Sequence, residues 1–74
     1  MNKITRVYMK MITEAEELTF KIIRIEDFIS SDEYNHISSV QQQLLEEQYD
    51  HMRGYLTALL RRIYYMNEGK EDEM

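Results

Sequence analysis

The sequence contains no cysteine, no proline and only two glycines, Gly54 and Gly69. Without cysteine, neither a disulfide framework nor a thiolate metal site can form, and the absence also agrees with a reducing compartment. A β-sheet protein of this length needs more glycine and proline for its turns. These absences together favour an all-α fold.

The chain also lacks a long apolar run and a basic charge balance. No stretch approaches the roughly 20 apolar residues that a membrane span requires, so we expect no membrane association. The first ten residues carry charges throughout and have no apolar segment of the signal-peptide kind, so an intracellular protein is expected. The formal net charge of −5 argues against binding of duplex nucleic acid, which needs a basic surface.

Apolar residues recur at spacings of three and four in both halves of the chain, which is the period of an amphipathic helix. Each half contains one such seam, of the kind that packs in coiled coils. The first seam comprises Ile4, Tyr8, Met11, Ala15, Leu18, Ile22, Ile25 and Ile29, and the second comprises Leu45, Tyr49, Met52, Leu56, Leu59, Ile63 and Met66. The pattern predicts two long helices.

A serine-rich connection separates the two seams. Ser30 with Glu33 fits a capping box for a short helical turn, and either Ser38 with Gln41 or Ser39 with Gln42 fits a second box that starts the last helix. Two long helices with a short connection should lie antiparallel. We therefore predict one helical hairpin domain over residues 1–67, in which residues 3–9 either belong to the first long helix or form a separate short helix. An acidic flexible tail is predicted over 68–74, with Gly69 as the C-cap of the last helix.

The chain has more apolar residues than its two seams can use. Many large side chains fall outside the seams, including Phe20, Ile23, Leu44, Leu60 and Tyr65. A monomeric hairpin would expose them, and large exposed apolar patches usually mark an interface. A chain of 74 residues also buries little surface alone. We therefore predict a homo-oligomer.

No residue pattern supports catalysis. There is no glycine-rich phosphate loop, and the serines cluster where helix capping explains them. The histidines are His36 and His51, and the position three before His51, where a Glu-x-x-His metal pair needs glutamate, is Gln48. The carboxylates are distributed as on a polar helix face. We expect a non-enzymatic protein with no metal site and no cofactor.

The positive charges are unevenly placed. Folding the chain near residues 34–37 brings residue i opposite about 71 − i, so the basic residues of both halves meet at the open end of the hairpin. Tyrosines map to the same end, and arginine forks and aromatic faces suit phosphates and bases. The alternative is a solvated face that favours the negative end of its helix. The residues concerned are Lys3, Arg6, Lys10, Arg53, Arg61 and Arg62, with Tyr8, Tyr64 and Tyr65.

Residues 17–63 resemble a family of small phage proteins. The first helix matches at Leu18, Lys21 and the Phe28-Ile29 end, and Tyr34 is the aromatic of the short serine-rich turn. The next helix, LLEEQYDHMRGYLTALLRRI, matches at Leu44, Leu45, Gln48, Met52, Tyr55, Leu59, Arg62 and Ile63. This pattern is similar to that of the anti-CBASS cyclic-nucleotide sponges, whose hairpin unit also occurs in part of some Thoeris anti-defence sponges.

The resemblance implies a homohexamer of helical hairpins in the cytoplasm of the bacterial host. Such proteins hold cyclic dinucleotides of the cyclic GMP–AMP type between protomers, and many hold cyclic trinucleotides such as cyclic tri-AMP at a separate site. By analogy Lys21 would contact a cyclic dinucleotide, Tyr8 would stack on a base and Arg62 would belong to the trinucleotide site. Arg61 is an alternative to Arg62, and Arg6 and Lys10 are alternatives to Tyr8.

Simpler interpretations of these residues remain open. Tyr8 lies in the apolar seam and could serve core packing, while Lys21 could pair with Glu17, four residues earlier. At the level of function, one alternative is a hairpin adaptor or inhibitor that binds a host protein through apolar helix faces. Another is a small nucleic-acid-binding regulator whose duplex binding would collapse with salt.

Overall fold

The computed structural model describes residues 3–67, with side chains from residue 5 onward, and within them it is entirely helical. Helix α1 spans Lys3–Ile29, a 3₁₀ helix spans Asp32–His36, and helix α2 spans Ser39–Asn67. The two long helices pack against each other as a hairpin of 49 × 23 × 15 Å, so the predicted all-α hairpin is confirmed. The proposed tail and the Gly69 C-cap lie outside the described residues.

Helix α1 is continuous from Lys3, so the separate short helix over residues 3–9 is not present. No proline or glycine occurs in this stretch to interrupt the backbone hydrogen bonds. The same apolar spacing also runs unbroken through it. The N-terminal residues therefore extend the long helix and carry their side chains to the open end of the hairpin.

The core lies along the two predicted seams. Leu59 is the most buried side chain, at 1% exposure, and it packs with Met11 and Ala15 of α1. All other seam residues whose side chains are described are buried or half-buried, as predicted. Full burial of a leucine is worth about 1.5–3 kcal/mol, so Leu59 holds the two helices together in the open-end half of the hairpin.

The connection is fixed by serine hydroxyls and one amide. Ser38 Oγ accepts a hydrogen bond from the Gln41 backbone N–H at 3.1 Å, which confirms Ser38 rather than Ser39 as the N-cap of α2. The Gln42 side chain donates to the Tyr34 carbonyl at 2.8 Å. Both bonds tie the start of α2 to the chain that precedes it.

The predicted capping box at Ser30 is wrong by one residue. Ser31 is the N-cap of the 3₁₀ helix, and its hydroxyl makes no capping bond. It donates instead to the Phe28 carbonyl at 2.6 Å. That carbonyl lies in the last turn of α1, where carbonyl groups lack partners within the helix. Ser31 therefore occupies the N-cap position of the 3₁₀ helix, but its side chain bonds the end of α1.

Three tyrosine hydroxyls form hydrogen bonds between the two helices. Tyr8 donates to Asn67 at 3.4 Å, Tyr49 donates to Glu26 at 2.6 Å, and Tyr55 donates to Glu14. These pairs lie close to the predicted pairing of residue i with 71 − i. The hydrogen bond to Glu26 is the main reason why the pKa of Tyr49 is raised, and Glu14 has the same effect on Tyr55.

Many large apolar side chains remain exposed in the single chain. Phe20 is 65% exposed and Leu60 is 49% exposed, and several others outside the seams are similarly open to solvent. The buried hydrophobic residues among those described are only Met11, Ala15, Ile22 and Leu59. Neither of the two long helices, over residues 3–67, is apolar enough over a sufficient length to cross a membrane.

Candidate ligand-binding groove

Two rows of side chains at seven-residue intervals face each other on one side of the hairpin. Seven residues make nearly two helical turns, so such residues share a side of their helix. The Tyr55–Glu14 bond joins the rows, and the antiparallel direction places Lys21 opposite Gln48 and Phe28 opposite Gln41. We call this side the polar face; its residues are Glu14, Lys21 and Phe28 of α1 and Gln41, Gln48, Tyr55 and Arg62 of α2.

A groove of about 530 Å³ opens on the polar face, toward the turn. Lys21 and Arg24 border it on α1, and Gln41 and Gln48 border it on α2. Apolar side chains complete the lining, and they come from both helices and the connection. They are Ile25, Phe28, Ile37, Leu45 and Met52. This volume lies in the range of small-molecule sites, which typically combine an apolar lining with a few polar groups.

The cations of the groove have no partner among the residues that the structure describes. Lys21 makes no ion pair with Glu17, so the interpretation of Lys21 as half of a helix-surface pair is not supported. No carboxylate lines the groove. Two unpaired positive charges beside an apolar surface create a local positive potential in an acidic protein. The groove therefore suits an anion that also has an apolar surface.

Arg62 lies farther along the polar face, beyond Tyr55. The Glu14 hydrogen bond, burial and the Glu14 charge raise the pKa of Tyr55, whereas the positive charge of Arg62 lowers it. Arg62 therefore stands close to the Tyr55–Glu14 pair. It does not line the groove, so the structure separates Arg62 from Lys21 within one chain.

The other predicted contacts lie toward the open end, in separate places. Arg6 and Lys10 share a depression of about 590 Å³ on α1 with the carboxylates of Glu14 and Glu17. Tyr8 is half-buried in the seam and bonds to Asn67, which agrees with a packing role. The single chain does not bring these residues together with Lys21.

Arg61 belongs to an aromatic depression on α2. It shares this depression with Leu60, Tyr64 and Tyr65, and the two tyrosine rings contact edge to face at 5.3 Å between centroids. All of these residues come from one helix. The depression is thus a shallow surface feature of the isolated hairpin, in contrast to the groove formed between two helices.

The side of the hairpin opposite the polar face has a groove with a more apolar lining than the groove on the polar face. Ile12, Thr19 and Glu26 follow each other at seven-residue intervals on the other side of the α1 seam. A second groove of about 320 Å³ here is lined mainly by apolar residues such as Ile12, Phe20 and Leu60, and it also has Glu16 and Thr19 in its lining. We call this side the apolar face. Near the turn it carries the Tyr49–Glu26 bond, with Arg53 5.5 Å from the centre of the Tyr49 ring.

Sequence reasoning missed Arg24 and Gln41 as candidate ligand contacts. A signal was available, since Arg24 follows Lys21 by three residues and Gln41 precedes Gln48 by seven. The open end has more cations than the turn half, and the sequence prediction rested on those cations. No cluster of three histidine, cysteine, aspartate or glutamate side chains suitable for a metal ion occurs within residues 3–67.

Comparison with known proteins gives one family. The family model described as Sequestin matches residues 5–65, which include the whole groove and all but the two outermost residues of each long helix. Neither a curated protein nor a solved structure gives a match. The family description fits the resemblance to sequestering proteins that the sequence indicated. Because the match covers most of its length, the chain belongs to the Sequestin family.

Proposed function

We propose that this protein is a non-enzymatic sponge for cyclic oligonucleotide immune messengers. It binds cyclic dinucleotides of the cyclic GMP–AMP type, cyclic trinucleotides such as cyclic tri-AMP, or both, and holds them intact. In the cytoplasm of an infected bacterium, this binding keeps the messengers from their effectors and blocks CBASS signalling. The family description is compatible with sequestration of a ligand, and the ligand class is our inference.

The observation that carries the proposal is the pair of unpaired cations, Lys21 and Arg24, beside an apolar groove. A cyclic dinucleotide has two phosphodiester charges and two flat bases. Lysine and arginine are the usual partners of phosphate groups, and an apolar lining favours removal of a base from water. The groove thus offers both kinds of contact that such a ligand needs.

The spacing of the predicted contacts supports binding between protomers. Tyr8 and Lys21 are 13 positions apart on one continuous helix, which places them about 20 Å apart along its axis at about 1.5 Å per residue. That distance is too large for both to contact one cyclic dinucleotide from the same chain. We propose that Tyr8 of one protomer and Lys21 of another share the ligand, and that Arg62 serves a separate trinucleotide site.

The exposed apolar residues support the assembly that this arrangement needs. Phe20, Ile23 and Leu60 are all more than 40% exposed in the single chain, and association would remove such surfaces from water. We propose a homohexamer, by analogy with the resembling family. A preassembled site limits the ordering cost of capture, and sequestration itself then depends only on affinity and protein concentration.

Calorimetric titration with cyclic GMP–AMP and with cyclic tri-AMP tests the proposal. We expect Lys21→Ala to weaken dinucleotide binding and Arg62→Ala to weaken trinucleotide binding. Arg53→Ala is the matched control, because Arg53 is a cation on the apolar face. Recovery of unchanged ligand after denaturation checks that no reaction occurs. Absence of heat with both ligands, from a folded oligomer, would contradict the proposal.

A second candidate function rests on the apolar face, where Phe20 is 65% exposed. An adaptor or inhibitor could bind a host protein through this surface. It predicts that Phe20→Ser abolishes function in infected cells while Lys21→Ala and Arg62→Ala have no effect. The sponge predicts loss of function from the cation variants as well, so the three variants separate the two proposals.

A further inference from the structure

The side of helix α1 that faces away from α2 is an exposed surface along most of the helix. Two depressions lie on it, one of about 590 Å³ toward the open end and one of about 470 Å³ toward the turn. Every described lining residue of both depressions belongs to α1, and Glu17 lines both, so they form one continuous surface. We call this surface the outer stripe; its residues, at spacings of three and four, are Arg6, Met9, Thr13, Glu17, Phe20 and Arg24.

The outer stripe carries the two most exposed large apolar side chains of the described part of α1. Phe20 is 65% exposed and Met9 is 52% exposed, and Ile23, next to Phe20 in the same depression, is 44% exposed. Helix α2 packs on the seam, which is the opposite side of α1, so it cannot cover them. Apolar surface of this kind is typical of an interface with another molecule.

The order of residues along the outer stripe suits pairing with a second copy in the opposite direction. In a two-fold interface, residue i of one copy contacts residue j of the other, and j contacts i in return. Met9 lies three residues from one end of the stripe, at Arg6, and Phe20 lies four residues from the other end, at Arg24. Antiparallel pairing over the whole stripe therefore places Met9 of each copy against Phe20 of the other.

The charges of the outer stripe agree with the same register. Lys10 of one copy comes within about 3 Å of the level of Glu17 of the other, at about 1.5 Å per residue along the helices, so two pairs of opposite charge form. The aliphatic part of Arg6 lies against Ile23 of the other copy. The guanidinium groups of Arg6 and Arg24 stay at the ends of the interface, where solvent and salt screen their repulsion.

The outer stripe also adjoins the groove of the polar face. Lys21 and Arg24 line both the groove and the depression on the turn side of the stripe. A second copy on the stripe therefore stands beside the groove. The same register brings Tyr8 of one copy level with Lys21 of the other along the helix axes, which a ligand shared between protomers requires.

We infer that the outer stripe of α1 is the surface through which two copies of this chain pair, antiparallel and related by a two-fold axis, with Met9 of each copy against Phe20 of the other. This inference rests on the proposed function, since it assigns the contact between protomers that a shared ligand needs. Its tests involve no nucleotide, so they are separate from the titrations that test the sponge.

Cysteine crosslinking tests the register, since the chain has no cysteine of its own. Oxidation of the double variant Met9→Cys/Phe20→Cys should give a disulfide-linked dimer, because facing positions come within the roughly 7 Å between Cα atoms that a disulfide spans. Each single variant should stay unlinked, because the pairing leaves its two identical positions about 16 Å apart along the axis. Electrophoresis without reductant measures the linked fraction.

Phe20→Glu tests the contribution of the outer stripe to assembly. It should raise the dissociation constant of the oligomer by about 100-fold, because the pairing then buries two unpaired carboxylates and each costs about tenfold or more. Val40→Glu is the matched control, because Val40 is 64% exposed and lies on α2. It should keep the wild-type assembly. Sedimentation velocity over a concentration series measures both variants, and circular dichroism checks that they remain helical.

Three results would overturn the inference: linking of a single variant as readily as the double variant, no linking from a folded oligomer, or equal effects of Phe20→Glu and Val40→Glu. If the wild-type oligomer still binds cyclic nucleotides, the sponge stands and only the assignment of the stripe fails. Expected linking without any binding of cyclic GMP–AMP or cyclic tri-AMP would contradict the sponge alone. A monomeric wild type would overturn both this inference and the proposed hexamer.

Discussion

The turn half and the open half of the polar face both contain positive charges, but they differ in where the carboxylates lie. Glu17 shares a neighbouring depression with Lys21 and Arg24 and stays outside the groove. Lys21 and Arg24 border a groove that no carboxylate lines. Arg6 and Lys10 share their depression with Glu14 and Glu17, and Arg62 lies near the Tyr55–Glu14 pair. The number of cations in a region is therefore a poor guide to an anion site, because local neutralisation decides the potential.

The largest expected effect comes from Leu59→Ala, which acts on the core beneath the open half. Removing most of a fully buried side chain should lower the free energy of unfolding by about 2–5 kcal/mol. Urea denaturation at fixed protein concentration measures this. Leu60→Ala is the control, since Leu60 is half exposed. Equal losses for the two variants would mean that assembly buries Leu60 as deeply as Leu59.

The double variant Lys21→Ala/Arg24→Ala tests the comparison directly. It should weaken cyclic dinucleotide binding by about 100-fold, because each charge-assisted contact is worth about 1.5 kcal/mol or more. The matched double variant Arg6→Ala/Lys10→Ala removes the same charge from the open half and should cost only a fewfold loss. A larger loss from the open-half variant would reverse our assignment of the stronger anion site.

Ser38→Ala should destabilise the start of α2, the helix that carries both glutamines of the groove. Loss of this N-cap should lower the free energy of unfolding by about 1 kcal/mol. Ser39→Ala removes a neighbouring hydroxyl that makes no capping bond and should change it by less than about 0.5 kcal/mol. Thermal denaturation followed by circular dichroism compares the two variants. A greater loss from Ser39→Ala would show that the cap shifts by one residue in solution.

Glu14→Gln should make the open half of the polar face more like the turn half in its affinity for anions. It removes a carboxylate beside Lys10 and Tyr55, so the open half should bind cyclic tri-AMP a fewfold more tightly, and more so at low salt. The variant should also lower the pKa of Tyr55 toward the ordinary tyrosine value, because Glu14 raises it. Nuclear magnetic resonance titration of the Tyr55 ring measures this second effect. Unchanged affinity would mean that the Glu14 carboxylate does not weaken anion binding in the open half.

The smallest expected effect is an alkaline loss of stability. The pKa values of Tyr49 and Tyr55 are raised in the folded chain, so these hydrogen bonds contribute fully below the ordinary tyrosine pKa of about 10. The contribution disappears as pH rises through the higher folded values. Tyr49→Phe/Tyr55→Phe should therefore narrow the stability difference between pH 9 and pH 12. Tyr65→Phe is the control and should keep the wild-type difference.

Most of the fold followed from the sequence because the seams repeat without interruption. Each described seam residue is buried or half-buried, and the Ser38 cap also agrees. The role of Ser31 could not be predicted from the sequence. A serine hydroxyl can cap the next helix or bond the previous one, and only the path of the chain decides between the two. Oligomer number is a property of surfaces between chains, and it stays a prediction.

The candidate site was harder to predict than the fold. Lys21, Gln48 and Arg62 were identified through a resemblance, and the structure does place them on one face. The groove itself depends on which sides of the two seams meet, which heptad spacing alone leaves undetermined. The three tyrosine bonds illustrate the difference between the sides. The residue numbers of the pairs Tyr8–Asn67 and Tyr49–Glu26 have the same sum, whereas those of Tyr55–Glu14, on the polar face, have a smaller sum.

The direction of the two helices has a practical consequence for molecular sensors. Helix α1 begins and helix α2 ends at the open end, and the groove lies toward the turn. A fluorescent protein or a surface tether attached next to Lys3 or Asn67 would therefore stand away from the groove. Immobilised copies of the hairpin would leave the groove accessible, and if the proposed function holds, they would serve as a capture element for a cyclic-nucleotide detector.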